Sequence, residues 1–463
     1  MDQFKETVSS AKDEMIKALQ DCLKIKSTTG TDGVHKALDF YLNLAKDMGF
    51  TVKNIEKLGG LIEFGQGPKT IGLIVHLDTV PEGSGWSFPP FEGQIQNGKI
   101  YGRGAIDDKG PAIATLYALK AIKDSDSQLQ NKFQIIVGID EEDVWTTTPQ
   151  LLKKIKEPDF SFVPDSKFPL VIAEKGLIWL ELAHDFNKQA IPKKSLSMII
   201  KNMQGGGSLN IVPESCEALL TGDIQLLSQV KTKLADYLNK TKSNIRIEEN
   251  GSDIKLVSQG KSAHAFNCQE GINAIAQLIL FLNELDINTQ QKEFLSIYSK
   301  KIGMECFGES LGIQMEDKVS GKLTISPGEV LMNDTMVKLK VDLRFPATST
   351  LDSVKRKVLQ AFQEFSGDIK ILDSLESLSF PEDDPHITKL MQVYKDYTGD
   401  TEAKPLGMGG TTFAKAFKNA VAFGPTFPGM AKVEHQPDEY MEIDHLIRCT
   451  EIYALAINEL GKS

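Results

Sequence analysis

Two largely apolar runs, 71–77 (IGLIVHL) and 133–139 (FQIIVGI), constrain this chain more than any other feature. A strand with one wet face alternates apolar and polar residues. A run without alternation suits a strand buried on both faces, and such strands belong to parallel sheets covered by helices. The flanking pattern agrees. Apolar residues recur at helical spacing over 3–27 and 35–48, and Gly49 leads into a strand over 50–55. A Gly- and Pro-rich loop covers 80–104, and 111–123 reads as a helix with Pro111 in its first turn. A helical 148–155 and a third strand near 160–163 follow. Strand and helix in this alternation predict a mostly parallel sheet built from right-handed crossovers.

The polar residues fall at telling places. His76 and Asp78 end the first run, Asp107 precedes a helix, Glu141 and Glu142 end the second run, and Asp165 follows the third strand. Open α/β sheets gather ligands outside the carboxyl ends of their strands, so four separate segments deliver acids and a histidine to one rim.

The character changes in the middle. Strand-like alternation (LSMIIKNM, CEALLTGDI, IRIEENGSDIKLVS, MVKLKVDLRF) dominates, with helices near 227–240, 271–285 and 350–365. After 385 the α/β pattern resumes: a helix over 386–397, a Gly-rich turn at 407–410, another helix, a strand over 420–423 and a terminal helix over 443–460. The fold class expected is α/β, a first domain with a mostly parallel sheet flanked by helices, interrupted by an inserted α+β domain. Its parts are 1–180 and 381–463 for the first domain and 181–380 for the insert. Two similar series of strand pair, helix and further strands suggest an internal duplication within the insert, although no clean sequence repeat marks it.

Composition narrows the function. A net charge of −11 with no basic run disfavours nucleic acid and anionic membrane as partners. The most apolar window, 274–282 (AIAQLILFL), is far too short to span a bilayer, and the polar N-terminal stretch lacks the apolar core of a signal peptide. Cys22, Cys216, Cys268, Cys306 and Cys449 are odd in number and scattered, which fits a reducing compartment and no thiolate metal site. These features together predict a cytoplasmic protein.

Each chemical motif has a bland reading beside the sharp one. His76 on a buried strand could be structural, but Asp78, two residues on, could fix its second ring nitrogen as a metal-ligating imidazole requires. Asp107 and Asp108 could be helix-capping acids, yet glycines flank them in YGRGAIDDKGP, where the backbone must approach something closely. The four acids 140–143 would repel one another unless neutralised, and a divalent metal would do so while leaving one carboxylate to act as a base. Asp165 and His435 are weak signals alone. Taken together, two histidines and three carboxylates without thiolates suit zinc, manganese or cobalt, and a bridging carboxylate suits a two-metal site.

The motifs HLDTVP, GRGAIDDKGP, DEED, PDSKFP and EHQPDE, in that order along nearly the whole chain, resemble the di-metal aminoacylase/carboxypeptidase-type peptidase family. DEEDVW, GGGSLNIVPE, GKSAHAFNCQEGINA, VDLRFP and GMGGTTFAK are similar to the PepV-type Xaa-His dipeptidases within it. The resemblance implies that the α/β domain, 1–180 and 381–463, is a catalytic domain and that the α+β insert, 181–380, is its lid domain, and it implies two divalent ions, zinc foremost. Asp107 bridges them and the Asp107–Asp108 peptide is cis, His76 and Asp165 complete one site, and Glu142 and His435 complete the other. It further implies Glu141 as general base, Asp78 as the group orienting His76, and His264 as donor to the developing oxyanion, worth about 3 kcal/mol. Asn210 and Arg344, with Gly409, Gly410 and Thr411, would hold the terminal carboxylate of a dipeptide, a task for which the planar guanidinium fork is suited. From their surroundings alone, His264 reads as a surface residue and Arg344 as a strand-end ion pair. Cys268 departs from the family pattern, which more often has proline there. His35, His184, His386 and His445 fit no motif and read as structural.

The activity so implied is hydrolysis of dipeptides. A deacylase of N-acetyl or N-succinyl amino acids would use the same chemistry with a different pocket. A non-catalytic relative would have lost a ligand or the base, and none is missing. A duplicated lid could take the place of a partner subunit, which predicts a monomer.

Overall fold

The apolar runs are strands. The computed structural model describes residues 2–125, 127–186, 197–251 and 253–462; Leu196 and Ser252, which fall in two of the strand-like stretches above, lie outside the described residues. The chain forms two compact units, one of Met1–Ala173, Ser379–Leu406 and Thr411–Ser463, the other of Glu174–Leu378 and Gly407–Gly410.

At the heart of the first unit Lys132–Gly138, Thr70–His76, Phe160–Val163 and Ala420–Ala422 lie side by side, every pair parallel. From Ile71 to His76 every residue is buried, as the missing alternation requires. Helix Lys109–Asp124 is buried nearly all round, and the terminal helix Ile443–Gly461 packs on it. The sheet is parallel only at its centre. Gly60–Phe64 and Thr51–Asn54 extend one side antiparallel, and Val171–Glu174 turns antiparallel beyond Ala420–Ala422. Thr51–Asn54 is mostly exposed, as an edge strand can be.

Local differences from the sequence reading have plain causes. The stretch over 3–27 is two helices, Asp2–Ser10 and Lys12–Leu23, interrupted at Ala11. The second helix stops where Lys109 Nζ donates to the carbonyls of Cys22 (3.2 Å) and Ile25 (2.7 Å), a buried ammonium at a helix C-terminus. The helix expected after the Gly-rich turn is a short 3₁₀ segment, Phe413–Ala416.

The second unit is built on one antiparallel sheet of eight strands. Their order is Ile245–Asn250, Asp253–Gln259, Ser215–Thr221, Ile199–Gly206, Thr324–Asn333, Met336–Phe345, Gly176–Asp185 and Asp368–Leu375. The sheet has the symmetry that the two sequence series suggested. Strand pair, helix and outer strand recur as Ile199–Gly206, Ser215–Thr221, Ile224–Lys240, Ile245–Asn250 and as Thr324–Asn333, Met336–Phe345, Leu351–Ala361, Asp368–Leu375. The halves meet where Ile199–Gly206 pairs with Thr324–Asn333. They differ in how one position is filled: Asp253–Gln259 follows its half in sequence, whereas Gly176–Asp185 precedes its own. That broken connectivity is why no clean repeat shows.

The joints between units also shift. Gly176–Asp185 is laddered on both edges within the second sheet, so 174–180 belongs there and not with the catalytic segment 1–180. Residues 407–410 belong there too, since the Met408 carbonyl accepts from the Lys175 N–H (3.0 Å). Helix Thr289–Lys301 was not foreseen; its sequence, TQQKEFLSIYSKK, is polar, and buried Gln291 bonds both backbone groups of Ile200. Among the described residues no helix is long and apolar enough to cross a membrane.

Candidate active site

Three adjacent parallel strands of the first unit end on one rim. Thr70–His76 delivers His76, Lys132–Gly138 leads into 140–143 on one side, and Phe160–Val163 leads to Asp165 on the other. A second device brings in Asp107 and His435. Strands Lys99–Tyr101 and Tyr440–Glu442 pair antiparallel, so the loops after one and before the other run together. His435 sits there with a left-handed backbone (φ 62°).

The five residues converge. His76 Nε2 lies 3.2 Å from Asp107 Oδ1 and 3.7 Å from Asp165 Oδ2. His435 Nε2 lies 3.0 Å from the other Asp107 oxygen, Oδ2, and 3.0 Å from Glu142 Oε2. Each carboxylate oxygen of Asp107 thus faces a different histidine. Ligand atoms of His76, Asp107 and Glu142, and likewise of His76, Glu141 and Asp165, all fall within 4.8 Å of one another. The Asp107–Asp108 peptide is cis. The flanking glycines do what their placement suggested: Gly104 has φ 89°, and a Cβ on Gly110 would meet the Ala105 carbonyl at 2.1 Å.

The electrostatics show a cage short of positive charge. Burial, then the Asp107 charge, push Asp165 up to about 7, although His76 opposes this. Burial and the Asp165 charge push Glu141 well above the usual carboxylate range. Burial pulls both histidines down, but hydrogen bonds to the surrounding carboxylates outweigh it; His76 rises well above its ordinary value and His435 reaches about 11. Burial alone would raise Asp107, yet its bonds to His435 and His76 hold it far below the usual range. A donor set of two imidazoles and four carboxylates, crowded enough to raise Glu141, Glu142 and Asp165 above the usual carboxylate range, fits divalent cations.

Asp78 does more than expected. The nearest partner of His76 Nδ1 is the Asp78 backbone carbonyl at 3.0 Å, with the carboxylate beside it at 3.4 Å. The carboxylate also accepts from the N–H groups of Glu141 and Glu142, both at 3.1 Å, and from Thr29 Oγ1 at 2.7 Å. Asp78 therefore faces His76 Nδ1 with both main chain and side chain, and its side chain holds the acidic loop as well. Asp140 leaves the acidic cluster altogether, accepting the N–H groups of Thr146, Thr147 and Thr148 to shape the next loop.

Arg103 and Glu439 were missed, although both lie inside the quoted motifs. They are 2% and 0% exposed and pair at 2.6 Å. The other Glu439 oxygen accepts from the N–H groups of Ile106 (3.0 Å) and Asp107 (3.3 Å). Arg103 also donates to the carbonyls of Gln436 (3.3 Å) and Glu82 (3.1 Å). This pair ties the loop carrying Asp107 to the loop carrying His435. The only sequence signal was a charged residue of each sign within the two conspicuous motifs.

In the second unit, Asn210, His264, Arg344 and Gly409 come together. Ala265 N–H donates to the Asn210 carbonyl (2.8 Å), and Ile211 bridges His264. His264 Nδ1 accepts from the Phe266 N–H at 3.2 Å, which leaves the proton of the neutral ring on Nε2. Gly409 abuts Phe266: a Cβ there would fall 2.7 Å from it. Arg344 Nη1 reaches the Gly409 carbonyl at 3.5 Å. The guanidinium is largely engaged by Asp342, through Nε (3.0 and 3.1 Å) and Nη2 (3.0 Å), and Trp179 Nε1 holds the same carboxylate at 2.8 Å. Arg344 therefore does form the strand ion pair read from its surroundings. Gly410 shares this unit; Thr411 belongs to the first unit, where Lys415 Nζ donates to its hydroxyl (3.2 Å). His386 stacks on Phe160 and His445 bonds the Pro425 carbonyl at 2.8 Å, both structural.

A sequence model of the family described as Peptidase family M20/M25/M40 matches residues 72–459. The chain belongs to that family. The family is one of peptidases, hydrolases of amide bonds. A relative in Bacillus subtilis (strain 168), named "Putative dipeptidase YtjP", is 38% identical, the match covering 97% of this chain and 98% of that protein. Among solved structures, human carnosine dipeptidase 1 is similar with a TM-score of 0.57 at 15% identity, covering 99% of both chains. The family metallo-carboxypeptidase Sso-CP2 of Sulfolobus solfataricus gives 0.58 at 16%, covering 97% of this chain and all of that one. At such identities these two speak for the shared fold alone.

Proposed function

We propose that this family member is a metal-dependent dipeptidase. The observation that carries the reading is Asp107, whose two oxygens each face a different histidine, as a carboxylate shared between two cations must. His76 and Asp165 would hold one ion, Glu142 and His435 the other, with zinc the first choice for this donor set and manganese or cobalt the alternatives. Two such ions supply the positive charge that acidifies a water and polarises the scissile carbonyl. The chain's own groups do the rest. Glu141, kept at the rim by Asp78, takes the proton of the attacking water and passes it to the leaving amine. His264, protonated on Nε2, donates to the oxyanion. Asn210, Arg344, Gly409, Gly410 and Thr411 hold the substrate's terminal carboxylate, with Asp342 and Trp179 fixing the guanidinium.

The 38% identical relative named as a dipeptidase favours a dipeptide over an N-acyl amino acid. The test is a panel of dipeptides beside N-acetyl and N-succinyl amino acids, assayed after chelation and readdition of single metals. Turnover confined to the acylated substrates would replace the dipeptidase reading with a deacylase; no metal-dependent turnover of either class would remove both.

A further inference from the structure

Two of the five cysteines meet. Cys268 lies in the 3₁₀ segment Ala265–Glu270, directly after His264, and Cys306 lies 38 positions on. The Cys268 sulfur is 3.7 Å from the Cys306 carbonyl oxygen and 3.8 Å from that of Ile325. The Cys306 carbonyl also accepts the Ile325 N–H at 2.8 Å, so loop, strand and 3₁₀ segment close on one point. Cys268 is buried, whereas Cys306 is partly exposed. The residues just after Cys306 help line a cleft of about 320 Å³ formed by Phe307, Glu309, Gln314, Met315, Glu316 and Lys322. The proximity of the two thiols holds that of Cys306 below its ordinary value and, with burial, raises that of Cys268. Cys22, Cys216 and Cys449 are all buried.

We propose that Cys306 and Cys268 form a reversible oxidation site, Cys306 reacting with a peroxide and Cys268 resolving the product into a disulfide. The arrangement separates the two tasks. A reactive cysteine needs access, which Cys306 has and buried Cys268 lacks; a resolving cysteine must lie beside it and give up its proton as it attacks, and the Cys268 sulfur is in place for that. In the first step the Cys306 thiolate attacks one oxygen of hydrogen peroxide. The O–O bond breaks, hydroxide leaves and is protonated to water, and Cys306 becomes a sulfenic acid, oxidised by two electrons. In the second step the Cys268 sulfur attacks that of Cys306. The S–O bond breaks, and the departing oxygen leaves as water with the Cys268 proton. The sum is two thiols and one peroxide giving one disulfide and two waters. A small-molecule thiol reverses it by exchange. The bond would fasten the segment following His264 to the loop that contains Cys306.

The test uses the whole native protein. After treatment with hydrogen peroxide, remaining thiols are alkylated and the peptides mapped by mass. The expected result is a cross-linked 268–306 peptide lighter by two hydrogens and restored by dithiothreitol. In Cys268→Ala, dimedone should trap a sulfenic acid at Cys306. Independent alkylation of both cysteines in the treated wild-type protein overturns the proposal, as does conversion of wild-type Cys306 to sulfinic acid without a cross-link. The wild-type measurement decides the matter even if the variant folds poorly.

Discussion

Glu439→Gln tests whether the buried pair behind the metal cage does what its geometry implies. Arg103 and Glu439 are almost wholly out of water, and the glutamate also accepts two main-chain N–H groups, one of them from Asp107. The glutamine would turn an amide donor or a neutral oxygen toward a guanidinium that now faces a charge. With the amide donor turned inward, Arg103 would keep only the carbonyls of Gln436 and Glu82 and its place over the Trp86 ring, 5.2 Å from the centroid. Deleting one partner of a buried pair costs about 3–5 kcal/mol, because the survivor stays desolvated. The weakened backbone bonds belong to the same loss and are not added to it. For a unit of this size the expected fall in Tm is about 6–20 °C. Two units unfold in this chain, so the probe must report on the first: Trp86 and Trp145 lie there, and Trp179 in the second can be changed to Phe. The double variant Arg103→Met, Glu439→Leu, which leaves no orphaned charge, should recover more than half of the lost stability. A Glu439→Gln protein melting within about 2 °C of its parent, or a double variant as unstable as the summed singles, would refute the reasoning.

Other outcomes follow from the same coordinates. Glu141→Gln should keep both metals by elemental analysis yet lose about 10²–10⁴ in kcat, since general-base catalysis contributes that much; near-normal turnover would remove Glu141 from its task. Arg344→Ala should raise KM for dipeptides, and Arg344→Lys should not restore it, because an ammonium cannot bond Asp342 and a substrate in a planar fork; an unchanged KM would count against carboxylate recognition. Glu63 gives a pH test. Burial would raise this carboxyl, but bonds from Lys132, Lys53 and Gln134 hold it at about 2. A depressed acid stabilises the fold above its ordinary pKa and loses that contribution as pH falls from about 4.5 toward 2. Glu63→Gln should therefore cost about 1 kcal/mol by urea midpoint at pH 7, screened by solvent at Lys53, and less at pH 3.5; an equal cost at both pH values would contradict the assignment.

Much of the first unit's centre was legible because local patterning encodes it. A strand buried on both faces must be apolar throughout, and the residues that end such strands at a ligand-binding rim must be polar. His76, Glu141, Glu142 and Asp165 could be found that way. Asp107 showed itself through its glycines, whose backbone freedom is a local property. His435 needed the resemblance, since nothing beside it in sequence distinguishes it.

What sequence could not supply was the choice of partner. The Asp78 carboxylate could have served His76 or the acidic loop, and packing lets it reach both. Arg344 could be read as an ion pair or as a substrate ligand; Asp342, two residues away on the same strand face, settles the ion pair and leaves the second task to experiment. Arg103 and Glu439 are 336 positions apart, and Cys268 and Cys306 meet only because a sheet and a 3₁₀ segment fold together. Periodicity is written into neighbouring residues by the geometry of helix and strand. Contacts between distant residues depend on how finished elements pack, and only the tertiary structure decides them.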